Sequence, residues 1–188
     1  MAPTNQIESG VRTRTRLAIL EAARKMLPGN PNASILEIAD VAGVGRSTVH
    51  RHFQDRAELV QELALYVYKL SNEAIARAKP ESGPPVAALR RIIEEQFDLG
   101  PALDFIYNER TVRMNPQLFK DFTAGDEQVT NAIKRASRTD QRFPPDWQDR
   151  VFWSLLRLGS EEAAGGHARH EMVDAIMTTL ISGFIGEE

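Results

Sequence analysis

Apolar residues along the chain recur at intervals of three and four rather than two, and no stretch alternates β-branched with polar residues as a half-buried strand would. The pattern predicts an all-α protein. Leu17, Leu20, Ala23, Met26 and Leu27 form one stripe, and the helix that carries them must stop at Pro28-Gly29-Asn30-Pro31. Ser34 stands at an N-cap position with Glu37 three residues on. This capping box opens a short second helix with Ile35, Ile38, Ala39 and Ala42 on one face. Gly43 breaks that helix and Val44 plugs the turn. After Gly45 a third short helix is expected through Ser47 to Phe53, with Val49 and Phe53 turned inward. Asp55 then caps a long fourth helix whose stripe of Leu59, Leu63, Val67 and Leu70 reaches towards Lys79.

Residues 80–85 hold three prolines and form the clearest linker. Beyond them the periodicity predicts helices near 86–99, 101–109, 116–138, 146–164 and 168–185. The expected organisation is a helical head over 1–56, a connecting helix over 57–79 and a helical body over 80–188.

Charge sharpens this division. The net charge is −3, but residues 1–56 carry eight Lys and Arg against five Asp and Glu, while the remainder carries fifteen against twenty-one. A basic head thus joins an acidic body. The chain has no cysteine, which excludes disulfides, thiolate metal sites and cysteine nucleophiles. No apolar run approaches the ~20 residues that span a bilayer, and the start of the chain lacks signal-peptide character, so the expectation is a soluble cytoplasmic protein.

The stretch Ile35 to Phe53 carries the function. Two short helices can cross steeply only where small residues sit at the crossing, and Ala39 and Ala42 supply them. Ile38, Val44, Val49 and Phe53 lock the pair. The outward positions of the third helix are then Arg46, Ser47, Thr48, His50, Arg51 and His52, all hydrogen-bond formers on an element the width of a major groove. Its N-terminal residues face base edges in such a geometry, which assigns reading or phosphate anchoring to Arg46, Ser47 and Thr48, with His50 and His52 further along the backbone. Arg12, Arg14 and Arg16 alternate with threonines in front of the head and form a basic arm that could reach phosphate or the minor groove.

With Arg16, Ile19, Leu20, Ala22 and Ala23, then Ile38-Ala39, Ala42-Gly43-Val44, His50, His52-Phe53, Arg56 and Leu59, residues 12–63 resemble the TetR-type bacterial regulators. The resemblance implies a homodimer whose two heads enter successive major grooves of a palindromic operator in double-stranded DNA. It also implies a C-terminal domain in which a small-molecule effector changes the spacing of the heads. Carried over by position, Ser34, Arg46, Ser47, Thr48, His50, His52 and Arg56 are the expected DNA contacts, with Arg14 from the arm. His50 stands where that family usually has a tyrosine, and 27–33 lacks its usual aromatic and glycine pattern.

Other chemistry has little support. Gly43-Val44-Gly45 opens no dinucleotide fingerprint, because Thr48 occupies the sixth position and a helix precedes it. His167 and His170 are spaced for one helix face, but exposed histidines at a helix start are the commoner arrangement, and no metal or cofactor is expected. No hydrolase elbow or zinc-protease motif occurs, so the reading is not an enzyme. The alternative is an all-helical binding or enzymatic domain whose head does not grip DNA. In the body, Phe97, Phe105, Tyr107, Met114 and Trp153, with Arg110 and Arg157 as charge partners, are the candidate effector residues, against the general tendency of such aromatics to be core. Val151, Leu155, Leu158, Gly159 and Ala163, with Met172, Ile176, Leu180 and Phe184, are the expected dimer face.

Overall fold

The computed structural model describes residues 4–123, 126–138, 143–183 and 185. Among them are only helices, turns and one isolated bridge between Ser137 and Ile185. The helices are α1 (Thr4–Met26), α2 (Ile35–Val41), α3 (Arg46–His52), α4 (Arg56–Ala78), α5 (Pro85–Gln96), α6 (Gly100–Asn108), α7 (Arg110–Arg113), α8 (Pro116–Thr123), α9 (Asp126–Ala136), α10 (Trp147–Ala164) and α11 (Arg169–Gly183). A 3₁₀ turn, Phe97–Leu99, joins α5 to α6. No described helix is long and apolar enough to cross a membrane.

Two features differ from the sequence expectation. The first helix begins at Thr4, so Arg12 and Arg14 of the expected arm lie on the same helix as Arg16. The region 116–138 holds two helices instead of one, and a short α7 precedes them. Phe184 lies outside the described residues.

The head owes its shape to its terminators. Ser34 accepts from the Glu37 N–H at 3.2 Å, while the Glu37 carboxylate accepts from the Ser34 N–H and hydroxyl at 2.7 Å each. The capping box is therefore complete. At the far end of α2, Gly43 has φ 66°, a left-handed conformation in which a side chain is costly. It lets the Val44 N–H reach the Ala39 carbonyl at 3.0 Å and the Gly43 N–H reach that of Asp40 at 3.1 Å, closing the helix and turning the chain into α3. Asp55 caps α4 by accepting from the Glu58 N–H at 2.9 Å.

Two buried clusters share α4. The first unites Ile19, Leu27, Ile38, Val49 and Phe53 of the head with Leu59, Leu63 and Val67 of α4, and continues into Ala102, Phe105, Ile106, Val112 and Leu118. The second joins Ile75 and Ala78 to α5, α9, α10 and α11 through Ile92, Ile133, Phe152, Leu156 and Ile176. The proline-rich connection between α4 and α5 is held down on both sides. Arg91 donates to the carbonyls of Ala78 and Ser82 at 2.8 and 2.6 Å, and Arg135 to that of Pro80 at 2.8 Å.

Candidate nucleic-acid interface and body cavity

On α3, Val49 is fully buried, which turns the polar residues out. Arg46, Ser47, His50 and Arg51 are exposed, and Thr48 and His52 half-buried. Arg51 donates to the Thr48 hydroxyl at 3.1 Å. Seven residues give barely two turns, so this face is narrow and depends on the core beneath it. Fully buried Phe53 supplies that anchor. The Arg16 guanidinium covers its ring at 4.8 Å, donates to the His52 carbonyl at 3.2 Å and pairs with Glu62 at 2.7 Å. Arg16 thus ties α1, α3 and α4 together.

Electrostatics separate the histidines. His52 is held below the usual imidazole range by burial first, then by Arg12, Arg16 and Arg51. It is therefore neutral at pH 7 in the absence of DNA. Arg12 lies one turn before Arg16 on the same face of α1. Arg14, two residues from each, lies about half a turn round the helix from that face. Arg56 and Ser34 also have intramolecular work: Arg56 donates to the Pro31 carbonyl at 2.5 Å, and Ser34 is engaged in the capping box.

The body contains a cavity of about 490 Å³ lined by α6, α9, α10 and the residue before α10. Of the residues expected from sequence, Tyr107 and Trp153 line it. Phe97, Phe105, Arg110, Met114 and Arg157 do not. Phe97 and Phe105 are buried in the two hydrophobic clusters. Met114 is 73 % exposed, Arg110 is also at the surface, and Arg157 is tied to Asp104 and Glu161 at 3.4 and 2.7 Å.

The lining that sequence reasoning missed is acidic. Asp104, Asp126, Asp146 and Asp149 share the cavity with one cation, Arg150, and with Asn108, Thr130 and Ser154. Thr130 donates to Asp149 at 2.5 Å. The Asp126 carboxyl is pushed up to about 7, by burial first and by the Asp149 charge second. A cavity with two aromatic walls and surplus negative charge suits a planar cation. No group of three or more His, Asp or Glu able to hold a metal occurs among the described residues.

The expected dimer face is also redrawn. Gly159 faces its own chain, since a Cβ there would lie 2.7 Å from Ile176 and 3.6 Å from Phe97. Ile176 and Leu180 are buried in the second cluster. What α10 leaves outside is the stripe of Trp147, Val151, Leu155 and Leu158, of which Trp147 and Leu158 are 44 % and 47 % exposed.

Comparison with known proteins agrees with this architecture. Residues 19–63 match the family described as bacterial regulatory proteins, tetR family. The chain is 51 % identical over 179 residues, 95 % of each chain, to the HTH-type transcriptional repressor LfrR of Mycolicibacterium smegmatis. It is 30 % identical over 105 residues to the transcriptional regulator TtgR of Pseudomonas putida, covering 54 % of this chain and 47 % of that one. The crystal structure of LfrR from Mycobacterium smegmatis in complex with proflavine superimposes with a TM-score of 0.82 at 50 % identity, covering 94 % of this chain and 99 % of that one. A second LfrR structure gives 0.73 at 45 % identity, covering 90 % and 99 %. The chain belongs to the TetR family of bacterial regulatory proteins and is a DNA-binding transcription regulator, not an enzyme.

Proposed function

We propose that the protein is a repressor that binds a palindromic operator as a homodimer and releases it when a planar cationic effector enters the α6–α9–α10 cavity. The acidic, aromatic-walled cavity carries the effector part of this reading. Proflavine, which the similar repressor binds, is a planar aromatic cation of that kind. The working division is a head over 1–56, connecting helix 57–79 and an effector and dimerisation body over 80–188.

Arg46, Ser47 and Thr48 at the start of α3 read base edges, with His50 and Arg51 on the phosphates. Arg12 contributes phosphate attraction beside them. His52, neutral and half-buried, gives a hydrogen bond rather than a charge. Ser34 and Arg56 shape the head around α2 and α4, and Arg14 adds only diffuse positive potential. In the body, Tyr107 and Trp153 sandwich the effector ring while Asp126 and Asp149 neutralise its charge. The stripe Trp147, Val151, Leu155 and Leu158 meets its symmetry mate in a self-complementary dimer contact. Two heads held so that they enter successive major grooves fit half-sites about one helical turn, roughly 34 Å, apart. An effector acts only by preferring the arrangement in which the heads no longer match that spacing.

The test is selection of bound duplexes from a random pool, followed by a salt titration of the best site. A palindrome whose affinity falls steeply with salt in the wild type, and is lost in Arg46→Ala, is the expected result. Enrichment of no sequence at low salt would overturn it.

A further inference from the structure

The Phe97–Leu99 turn and Gly100 are tied to three parts of the molecule, the head, α10 and α11. From the head, Arg24 on α1 donates through Nη1 to the Asp98 carbonyl at 3.2 Å. The rest of that guanidinium is fixed by Glu21, through Nε at 2.8 Å and Nη2 at 2.7 Å, so the remaining N–H has little freedom of aim. Glu21 in turn accepts from Tyr66 of α4 at 3.4 Å. From α11, Arg169 donates to the Asp98 carboxylate at 2.9 Å and to the Glu94 carbonyl at 2.5 Å, with its guanidinium 5.1 Å over the Phe97 ring.

From α10, the buried Ser160 hydroxyl lies 2.5 Å from the Phe97 carbonyl and 2.8 Å from that of Leu156. Gly100 is pressed against the same place. A Cβ added there would lie 2.8 Å from Ser160 Oγ and 3.1 Å from the Leu156 carbonyl oxygen. The first turn of α6 therefore cannot move towards α10, and a push has to be taken up along or away from it. α6 itself has two working faces. Gly100, Leu103, Asp104, Tyr107 and Asn108 line the cavity, while Ala102, Phe105 and Ile106 lie in the cluster that is continuous with the head.

We propose that the turn 97–100 is a coupling joint that carries displacement of α6 by a cavity ligand directly to α1, through the Arg24 hydrogen bond to Asp98, in parallel with the path along α4. This rests on the reading of the cavity as the effector site. Arg24 is a positioning residue: it touches neither DNA nor effector, and it transmits because its acceptor is backbone of the element that the ligand moves. The Asp98–Arg169 pair is exposed and adds little energy, but it holds the far side of the joint against α11.

A double-mutant cycle on operator affinity tests the joint without any ligand, reading fluorescence anisotropy of a duplex taken from the random-pool selection. Gly100→Ala forces the start of α6 to shift and so mimics the effector. It should weaken operator binding about tenfold, with Arg24→Ala alone within about twofold of wild type and the double variant within about threefold. Equal weakening by Gly100→Ala in both backgrounds overturns the proposal, as does a folded Gly100→Ala chain with wild-type affinity. If thermal unfolding shows that Gly100→Ala has lost its fold, Ser160→Thr gives a smaller push at the same packed joint and is read in the same cycle.

A second arm uses proflavine as probe. In Arg24→Ala the factor by which proflavine lowers operator affinity should shrink at least threefold, while proflavine affinity without DNA stays as in wild type. An unchanged factor overturns the joint. Failure of proflavine to bind the wild type contradicts the effector reading alone, and the ligand-free cycle still decides the joint.

Discussion

In the head, the candidate base-reading residues come from one seven-residue helix, whereas the cavity takes its lining from residues 100 to 154 on three separate helices. The two regions also differ in what holds them. α3 presents a polar face because Val49 and Phe53 beneath it are fully buried, so its recognition surface is only as firm as a small apolar core. The cavity carries four aspartates and one arginine beside its aromatic walls, and its helices pack on both clusters, α6 on the first and α9 and α10 on the second. The helical reading face is thus vulnerable to loss of packing, and the acidic cavity to change of charge. Substitutions on the two sides should separate cleanly.

The largest effect belongs to the head core. Phe53→Ala removes a fully buried ring that also carries Arg16, and should cost about 3–5 kcal/mol of stability, measured by urea unfolding. A loss confined to less than about 1 kcal/mol would mean that α3 is not anchored as described. Trp153→Ala, at a half-buried wall of the cavity, should cost much less stability. It should weaken proflavine binding by about tenfold or more in a fluorescence titration, with operator affinity retained.

The same contrast explains how much could be read from the chain. Ser34 with Glu37, Gly43, and the inward pair Val49 and Phe53 are local signals whose spacing follows from helix geometry, and the head forms as that spacing requires. Tyr107 and Trp153 stood out as aromatics. Asp104, Asp126 and Asp149 did not, because acids in helical segments look like ordinary solvated surface until tertiary packing brings three helices around one space. Gly159 looked like a small residue for a helix–helix contact and is one, but the partner is Ile176 of its own chain. The extent of α1 was hidden for a related reason. Its first turns lack an apolar stripe, so Arg12 and Arg14 looked like an arm together with Arg16, whereas on the helix Arg12 and Arg16 share one face and Arg14 lies about half a turn away.

Next in size is Arg46→Ala, expected to cost about 1–3 kcal/mol of operator binding and to relax preference at one base position, with stability unchanged. A uniform loss across all sequences would reassign Arg46 to phosphate. Asp126 supplies a pH dependence on the cavity side only. Its folded pKa of about 7 lies above the ordinary 3.8, so the folded state keeps a proton that the unfolded chain releases. Stability from this group therefore falls as pH rises from 3.8 towards about 7, and no further above it. Over the upper part of that range Asp126 acquires its charge, so a cation that stays singly charged should bind more tightly as pH increases. Asp126→Asn should flatten both profiles, and a wild-type profile flat across neutrality would contradict the charge assignment. The smallest effect is Ser34→Ala, which removes the α2 cap and should cost about 1 kcal/mol in thermal unfolding.

The most direct test of the account is to titrate proflavine into the operator complex and follow DNA release by fluorescence anisotropy, in wild type, Trp153→Ala and Arg46→Ala. Proflavine should release operator from the wild type, Trp153→Ala should bind operator but need far more proflavine to let go, and Arg46→Ala should bind proflavine as the wild type does while holding operator more weakly. Proflavine that binds the wild type in the cavity and leaves operator affinity unchanged would contradict the account, because head and cavity would then be two independent sites on one chain.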